Sequence, residues 1–89
     1  MIRVRVRFSG RVQGVGFRYS CARLATQNGV TGWVRNDPGG TVTAELQGTK
    51  SAVDNLITSL GSQPFIRVTG QDQTVIPVVS NEQGFQVAV

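Results

Sequence analysis

Ile2-Arg3-Val4-Arg5-Val6-Arg7-Phe8, followed after Ser9 by Gly10-Arg11-Val12-Gln13-Gly14-Val15-Gly16-Phe17-Arg18, decides the fold. In the first part Ile2, Val4, Val6 and Phe8 alternate with Arg3, Arg5 and Arg7, the period-two pattern of a strand that buries one face. The arginines then point outward, either as a solvated face that discourages edge pairing or as a binding stripe. In the second part Gly10, Gly14 and Gly16 punctuate a loop. Phe17, Cys21, Leu24 and Ala25 follow at the i, i+4, i+7, i+8 spacing of an amphipathic helix, which Asn28-Gly29 stops.

Outward from that strand, loop and helix, Val30 to Arg35 reads as a second strand and Asp37-Pro38-Gly39-Gly40 as a turn. Thr41 to Leu46 is a third strand with Val42, Ala44 and Leu46 on one face. Beyond Gly48, Val53, Leu56, Ile57 and Leu60 form one helical stripe, with Ser51 and Asp54 resembling a capping box and Gly61 closing the helix. Phe65 to Thr69 and Phe85 to Val89 are further strand candidates, and Val75 to Val79 is a weaker one because Pro77 interrupts it. The order is strand, helix, strand, strand, helix, strand. Two right-handed strand-helix-strand crossovers in so short a chain put both helices on one face of the sheet. The predicted class is α+β: a ferredoxin-like βαββαβ sandwich with a four- to five-stranded antiparallel sheet.

The 89 residues form one domain, 1–89, with 39% hydrophobic and 16% charged side chains. A lone cysteine and the absence of histidine exclude an internal disulfide, histidine catalysis and a structural zinc site. Cys21 falls on the apolar helical face and reads as a small buried hydrophobe, not as a nucleophile. Nine basic and five acidic side chains give +4, and seven arginines precede the first acid, Asp37. Such a front half attracts anions. Arginines break the amino-terminal apolar stretch, and no run approaches a membrane span of about 20 residues. The expected location is cytoplasmic, with no membrane partner.

Gly10 to Arg18 lies between a strand end and a helix start, where glycines permit close backbone approach and successive amides can face one concavity. The helix N-terminus adds partial positive charge, and Arg18 in the first turn can place its planar fork on two oxygens of a tetrahedral anion. By composition alone such a loop is equally a tight turn. It is not a phosphate loop of the Gly-Lys-Ser/Thr type, since Phe17-Arg18 follow Gly16. It is not a dinucleotide fingerprint either, because Tyr19 stands where the third glycine belongs. Gln27 occupies the position at which a cysteine phosphatase needs arginine after Cys21. Asp37, Glu45, Asp54, Asp72 and Glu82 are too scattered for a metal phosphatase. Asn36, ending the second strand, is either a turn former or a carboxamide beside the anion, and Trp33 reads as core. An RNA-binding module shares the element order, but Thr41 to Leu46 has no aromatic platform and carries an acid, so no nucleic-acid partner is expected.

These residues resemble the acylphosphatase family. Gly10 to Arg18 is similar to its signature loop, whose core is Val-Gln-Gly-Val-x-Phe-Arg. Gly29-x-x-Gly32-Trp33-Val34-x-Asn36 is similar to its second block, and Asp37, Gly40, Val42, Glu45 and Gly48 continue the likeness over roughly the first 48 residues. The resemblance implies a phosphate cradle from the amides of Gln13, Gly14, Val15, Gly16, Phe17 and Arg18, with Arg18 as clamp and Asn36 orienting the attacking water. It further implies hydrolysis of small-molecule acyl phosphates to a carboxylate and inorganic phosphate, with phosphate or sulfate as product-like anion and no metal or organic cofactor. The amino-terminal segment of hydrogenase-maturation carbamoyltransferases shares the cradle, but 89 residues leave no place for their other catalytic domains. A free-standing monomeric enzyme is expected.

Overall fold

The alternation at the amino terminus builds β1 (Ile2–Arg11), and the glycine loop delivers the chain into α1 (Phe17–Asn28). Then follow β2 (Thr31–Asn36), β3 (Val42–Gly48), α2 (Lys50–Gly61), β4 (Arg67–Ile76) and β5 (Phe85–Val87). The computed structural model describes residues 1–88. The five strands form one sheet in the order β4-β1-β3-β2-β5.

The sheet is mixed: β1, β3, β4 and β2 pair antiparallel, but β5 runs parallel to β2 through Gly32↔Phe85 and Val34↔Val87. This corrects the all-antiparallel expectation. β4 ends at Ile76 opposite Arg3, at the same end of the sheet where β2 begins opposite Gln47, so a chain that crosses the sheet at that end and enters β5 runs in the sense of β2. The expected strand at Phe85 to Val89 is found over Phe85–Val87, with Val89 outside the described residues. Phe65 to Thr69 and Val75 to Val79 are not separate strands. One ten-residue strand, Arg67–Ile76, takes in the end of the first and the start of the second, and Pro77, with no N–H to donate, follows its end.

On the helical side, Val4↔Leu46, Val6↔Ala44 and Phe8↔Val42 align apolar side chains across β1 and β3. Phe17, Cys21, Leu24 and Ala25 of α1 and Val53, Leu56, Ile57 and Leu60 of α2 close over them. The rings of Phe8 and Phe17 lie 4.9 Å apart at 56° and fix the start of α1 on the sheet. Each large apolar side chain so buried stabilises the fold by about 1.5–3 kcal/mol. Gly32 (φ 138°) is required in β2, because a Cβ there would collide with the carbonyl oxygen of Glu45. Gly29 (φ 68°) closes α1 as expected, but the caps of α2 differ: Gly61 is its last helical residue and Ser62 its C-cap. The Thr49 hydroxyl accepts the Ala52 N–H at 3.1 Å and caps α2, in place of a Ser51–Asp54 box.

The other side of the sheet carries no helix, yet Arg3 is only 2% exposed, contrary to a wholly solvated arginine face. The connection from β4 to β5 crosses this side. Gln47 holds it by accepting the Val79 N–H at 2.8 Å and donating to the Val79 carbonyl at 2.9 Å. Arg3 donates to Glu45 at 3.0 Å and to Glu82 at 2.7 Å, and Arg5 donates to the second Glu45 oxygen at 2.8 and 3.0 Å. Desolvation pushes the Glu45 and Glu82 carboxyls up, but the bonds from the arginines outweigh it and hold both below the usual carboxylate range. Trp33 also lies on this side, half-buried, with the Arg35 guanidinium 5.0 Å from its ring centroid, and is not part of the helix-side core.

Candidate active site

Between β1 and α1, Gly14 and Gly16 adopt φ values of 73° and 78°. Gly16 is the N-cap of α1 and offers no side chain to the first-turn amides. A residue bearing a Cβ would pay about 1–2 kcal/mol for that left-handed backbone. The first helical bond runs from Ser20 N–H to the Gly16 carbonyl at 3.0 Å. Among the described residues, no group accepts a hydrogen bond from the backbone N–H groups of Gln13 to Tyr19. The first turn holds no acidic side chain, so the positive end of the helix dipole is left unneutralised.

The loop is tied to the turn between β2 and β3. Gln13 donates its side-chain amide to the carbonyls of Asp37 and Thr41, both at 2.8 Å. Asp37 in turn closes that turn. Its N–H donates to the Thr41 carbonyl at 2.8 Å, and its carboxylate accepts from Thr43 at 2.6 Å and Thr41 at 3.0 Å. Desolvation raises the Asp37 pKa, but bonds from Thr43, Thr41 and Arg35 prevail and set it below the normal value. Two segments remote in sequence are thereby locked together, and Asn36, paired with Val42 in the sheet, is fixed beside the loop.

A cleft of ≈ 480 Å³ opens where they meet. Gly14, Gly16, Phe17 and Arg18 line one side, Asn36 lines another, and buried Val12 contributes to the wall. Of the residues expected at an anion site, Gln13 and Val15 do not line it: Gln13 reaches the turn, and Val15 packs against the core. The structure adds Tyr19 and Val87, 84% and 43% exposed, which sequence reading passed over. Tyr19 had a signal in its place next to Arg18 in the first turn. Val87 had none, since only the parallel pairing of β5 with β2 brings it here. Among the described residues Arg18 has no carboxylate within ion-pairing distance, and no group of three or more metal-ligating side chains occurs. Cys21 is fully buried, and burial pushes its thiol up to about 12, so it supplies no thiolate. No helix among the described residues is long and apolar enough to cross a membrane.

A family model described as Acylphosphatase matches residues 4–87. The chain is 43% identical over 88 residues to an acylphosphatase of Methylococcus capsulatus, covering 98% of this chain and 96% of that one. It is 53% identical over 57 residues to an acylphosphatase of Trichormus variabilis, an alignment spanning 64% of this chain and 56% of the relative. Its fold superposes on the crystal structure of acylphosphatase from Bacillus subtilis with a TM-score of 0.92 at 30% identity, covering 100% of both chains.

Proposed function

The chain belongs to the acylphosphatase family and hydrolyses the carboxyl–phosphate bond of acyl phosphates, and we propose that it does so in the cleft between the Gln13–Arg18 loop and Asn36. The observation that carries this reading is the meeting, in one hollow, of loop amides and a guanidinium that have no partner among the described residues and a carboxamide. The amides of Gly14, Gly16, Phe17 and Arg18 and the dipole of α1 surround the phosphoryl oxygens, where negative charge accumulates during transfer. Arg18 grips two of those oxygens through parallel N–H bonds, and Asn36 aligns a water with the phosphorus. The water oxygen bonds to phosphorus as the bond to the carboxyl oxygen breaks, and the electron pair leaves with the carboxylate.

Among the described residues the lining includes no carboxylate and no imidazole, and neither guanidinium nor carboxamide accepts a proton near neutral pH. A phosphate oxygen of the substrate therefore takes the proton from water. The leaving carboxylate is already a weak base, so positioning and fixed dipoles are sufficient and no protein nucleophile is required.

The test is turnover of benzoyl phosphate and acetyl phosphate, with and without chelator, by the wild type and by Arg18→Lys. A point charge cannot reproduce the fork, so the variant is expected to lose about 10²–10³-fold in kcat/KM. Wild-type turnover in Arg18→Lys removes the clamp from the mechanism.

A further inference from the structure

The side-chain charge of +4 is not spread over the molecule. Nine cations face five acids. Arg3 pairs with Glu45 and Glu82, Arg5 with Glu45, Arg35 with Asp37 and Lys50 with Asp54. The fifth acid, Asp72, stands directly opposite Arg7 in the β1–β4 register. All five acids are thus matched by five cations, and the excess resides in the other four: Arg11, Arg18, Arg23 and Arg67.

The topology collects these four at one end. β1 finishes at Arg11 and β4 begins at Arg67, directly opposite it, while α1 starts at Phe17 beside Arg18. Arg23 lies six residues into α1, about 9 Å along its axis at 1.5 Å per residue. Its guanidinium donates to the neutral side chain of Gln63 at 3.0 Å, and no carboxylate among the described residues pairs with it. This is the end that holds the cleft, and Arg11 is next to Val12 in the cleft wall. Like charges placed directly across an antiparallel pair weaken it, so the Arg11↔Arg67 pairing works against the fold. Both side chains are exposed, and neither is needed for the core.

We propose that Arg11, Arg23 and Arg67 form an electrostatic collar that draws acyl phosphates into the cleft and selects those whose acyl half carries its own negative charge over those whose acyl half is neutral. The inference rests on acyl phosphate hydrolysis at the Arg18 cleft. The phosphoryl group goes to the loop in every substrate. A second anionic group, on the acyl half, experiences the field of the collar, which acts through space without a fitted pocket. Such steering enters kcat/KM and not kcat. It also weakens with salt, because the Debye length falls from about 30 Å at 0.01 M to about 3 Å at 1 M.

The experiment compares benzoyl phosphate with 4-carboxybenzoyl phosphate, a pair differing by one carboxylate. The enzymes are the wild type, Arg11→Gln/Arg67→Gln and Arg11→Lys/Arg67→Lys, each assayed at low and high ionic strength. At low salt the glutamine variant is expected to lose about tenfold in kcat/KM for the carboxylated substrate and about threefold for benzoyl phosphate, within the range known for steering. kcat stays unchanged, the gap closes at high salt, and the lysine variant behaves as wild type. The thermal midpoint of the glutamine variant holds or rises, whereas a merely structural role for the pair would lower it. Equal losses for both substrates, a loss that salt does not erase, or a loss shared by the lysine variant overturns the collar. If the wild type turns over both substrates and the glutamine variant matches it, the collar alone fails. If the wild type turns over neither, the proposed function fails with it.

Discussion

Asn36 carries two readings in the sequence, turn former and holder of water, and the geometry favours the second. The turn after β2 is closed by its neighbour Asp37, whose carboxylate takes the Thr41 and Thr43 hydroxyls. Among the described residues the Asn36 carboxamide has no hydrogen-bond partner, and it lines the cleft. Asn36→Ala should therefore keep the fold and the affinity for inorganic phosphate while lowering kcat by about 10²-fold, the cost typical of removing one positioning or polar stabilising group. Steady-state kinetics with phosphate as competitive inhibitor decides it: if phosphate ceases to inhibit the variant, Asn36 belongs to anion binding and not to the water. The place of Arg18 was readable directly, because the helical spacing that starts at Phe17 puts it in the first turn after the glycine loop. Gln13 was readable only in part. The loop pattern puts its backbone near an anion, but nothing in the sequence tells that its side chain reaches two carbonyls in a turn more than twenty residues away.

The elements that carry clear periodicity were the ones legible in advance. α1, β1, β2, β3 and the apolar stripe of α2 lie where Phe17, Cys21, Leu24 and Ala25, the Ile2–Phe8 alternation and Val53, Leu56, Ile57 and Leu60 put them. The exposed face of β4 has no pattern of its own, since only Val68 and Ile76 are partly covered within it, and so its ten residues looked like two shorter pieces. The cap of α2 was misplaced by two residues because Ser51 and Thr49 are chemically equivalent signals; backbone geometry, extended at Thr49, chooses between them. Thr49→Ala is expected to cost about 1 kcal/mol, the usual value for a lost N-cap, whereas Ser51→Ala should change stability little. Urea midpoints for the two variants separate the cases, and a larger loss for Ser51→Ala would return the cap to the box. The connection between the loop and the β2–β3 turn is tested in the same way. Gln13→Ala removes two hydrogen bonds of about 1 kcal/mol each, and kcat/KM should fall by up to about 10²-fold through loosened geometry. Unchanged kinetics in a destabilised variant would make that connection purely structural.

Across the whole molecule, the two faces of the sheet are stabilised by different physics, and acid acts on one of them. The helical side is apolar and indifferent to pH. The other side depends on Glu45 and Glu82 around Arg3 and Arg5, and Asp37 locks the turn beside the cleft. All three carboxyls sit below their ordinary values in the folded state. In acid the unfolded chain therefore binds more protons than the folded one, and stability falls as pH falls. The contribution is fully present above the unfolded carboxyl values of about 3.9 for Asp and 4.3 for Glu, and drains away as pH drops through the lower folded values. The thermal midpoint should accordingly be level near neutrality and decline below about pH 4. Glu45→Gln isolates the part due to the arginine cluster. It lowers the midpoint at pH 7, where it leaves Arg3 with Glu82 and Arg5 without its carboxylate, but it has less to lose on acidification, so its curve converges on that of the wild type. Two curves that stay parallel down to pH 2 would show that the cluster contributes no acid-labile stability, and the burial of Arg3 would then have to be maintained by the covering segment and Gln47 alone.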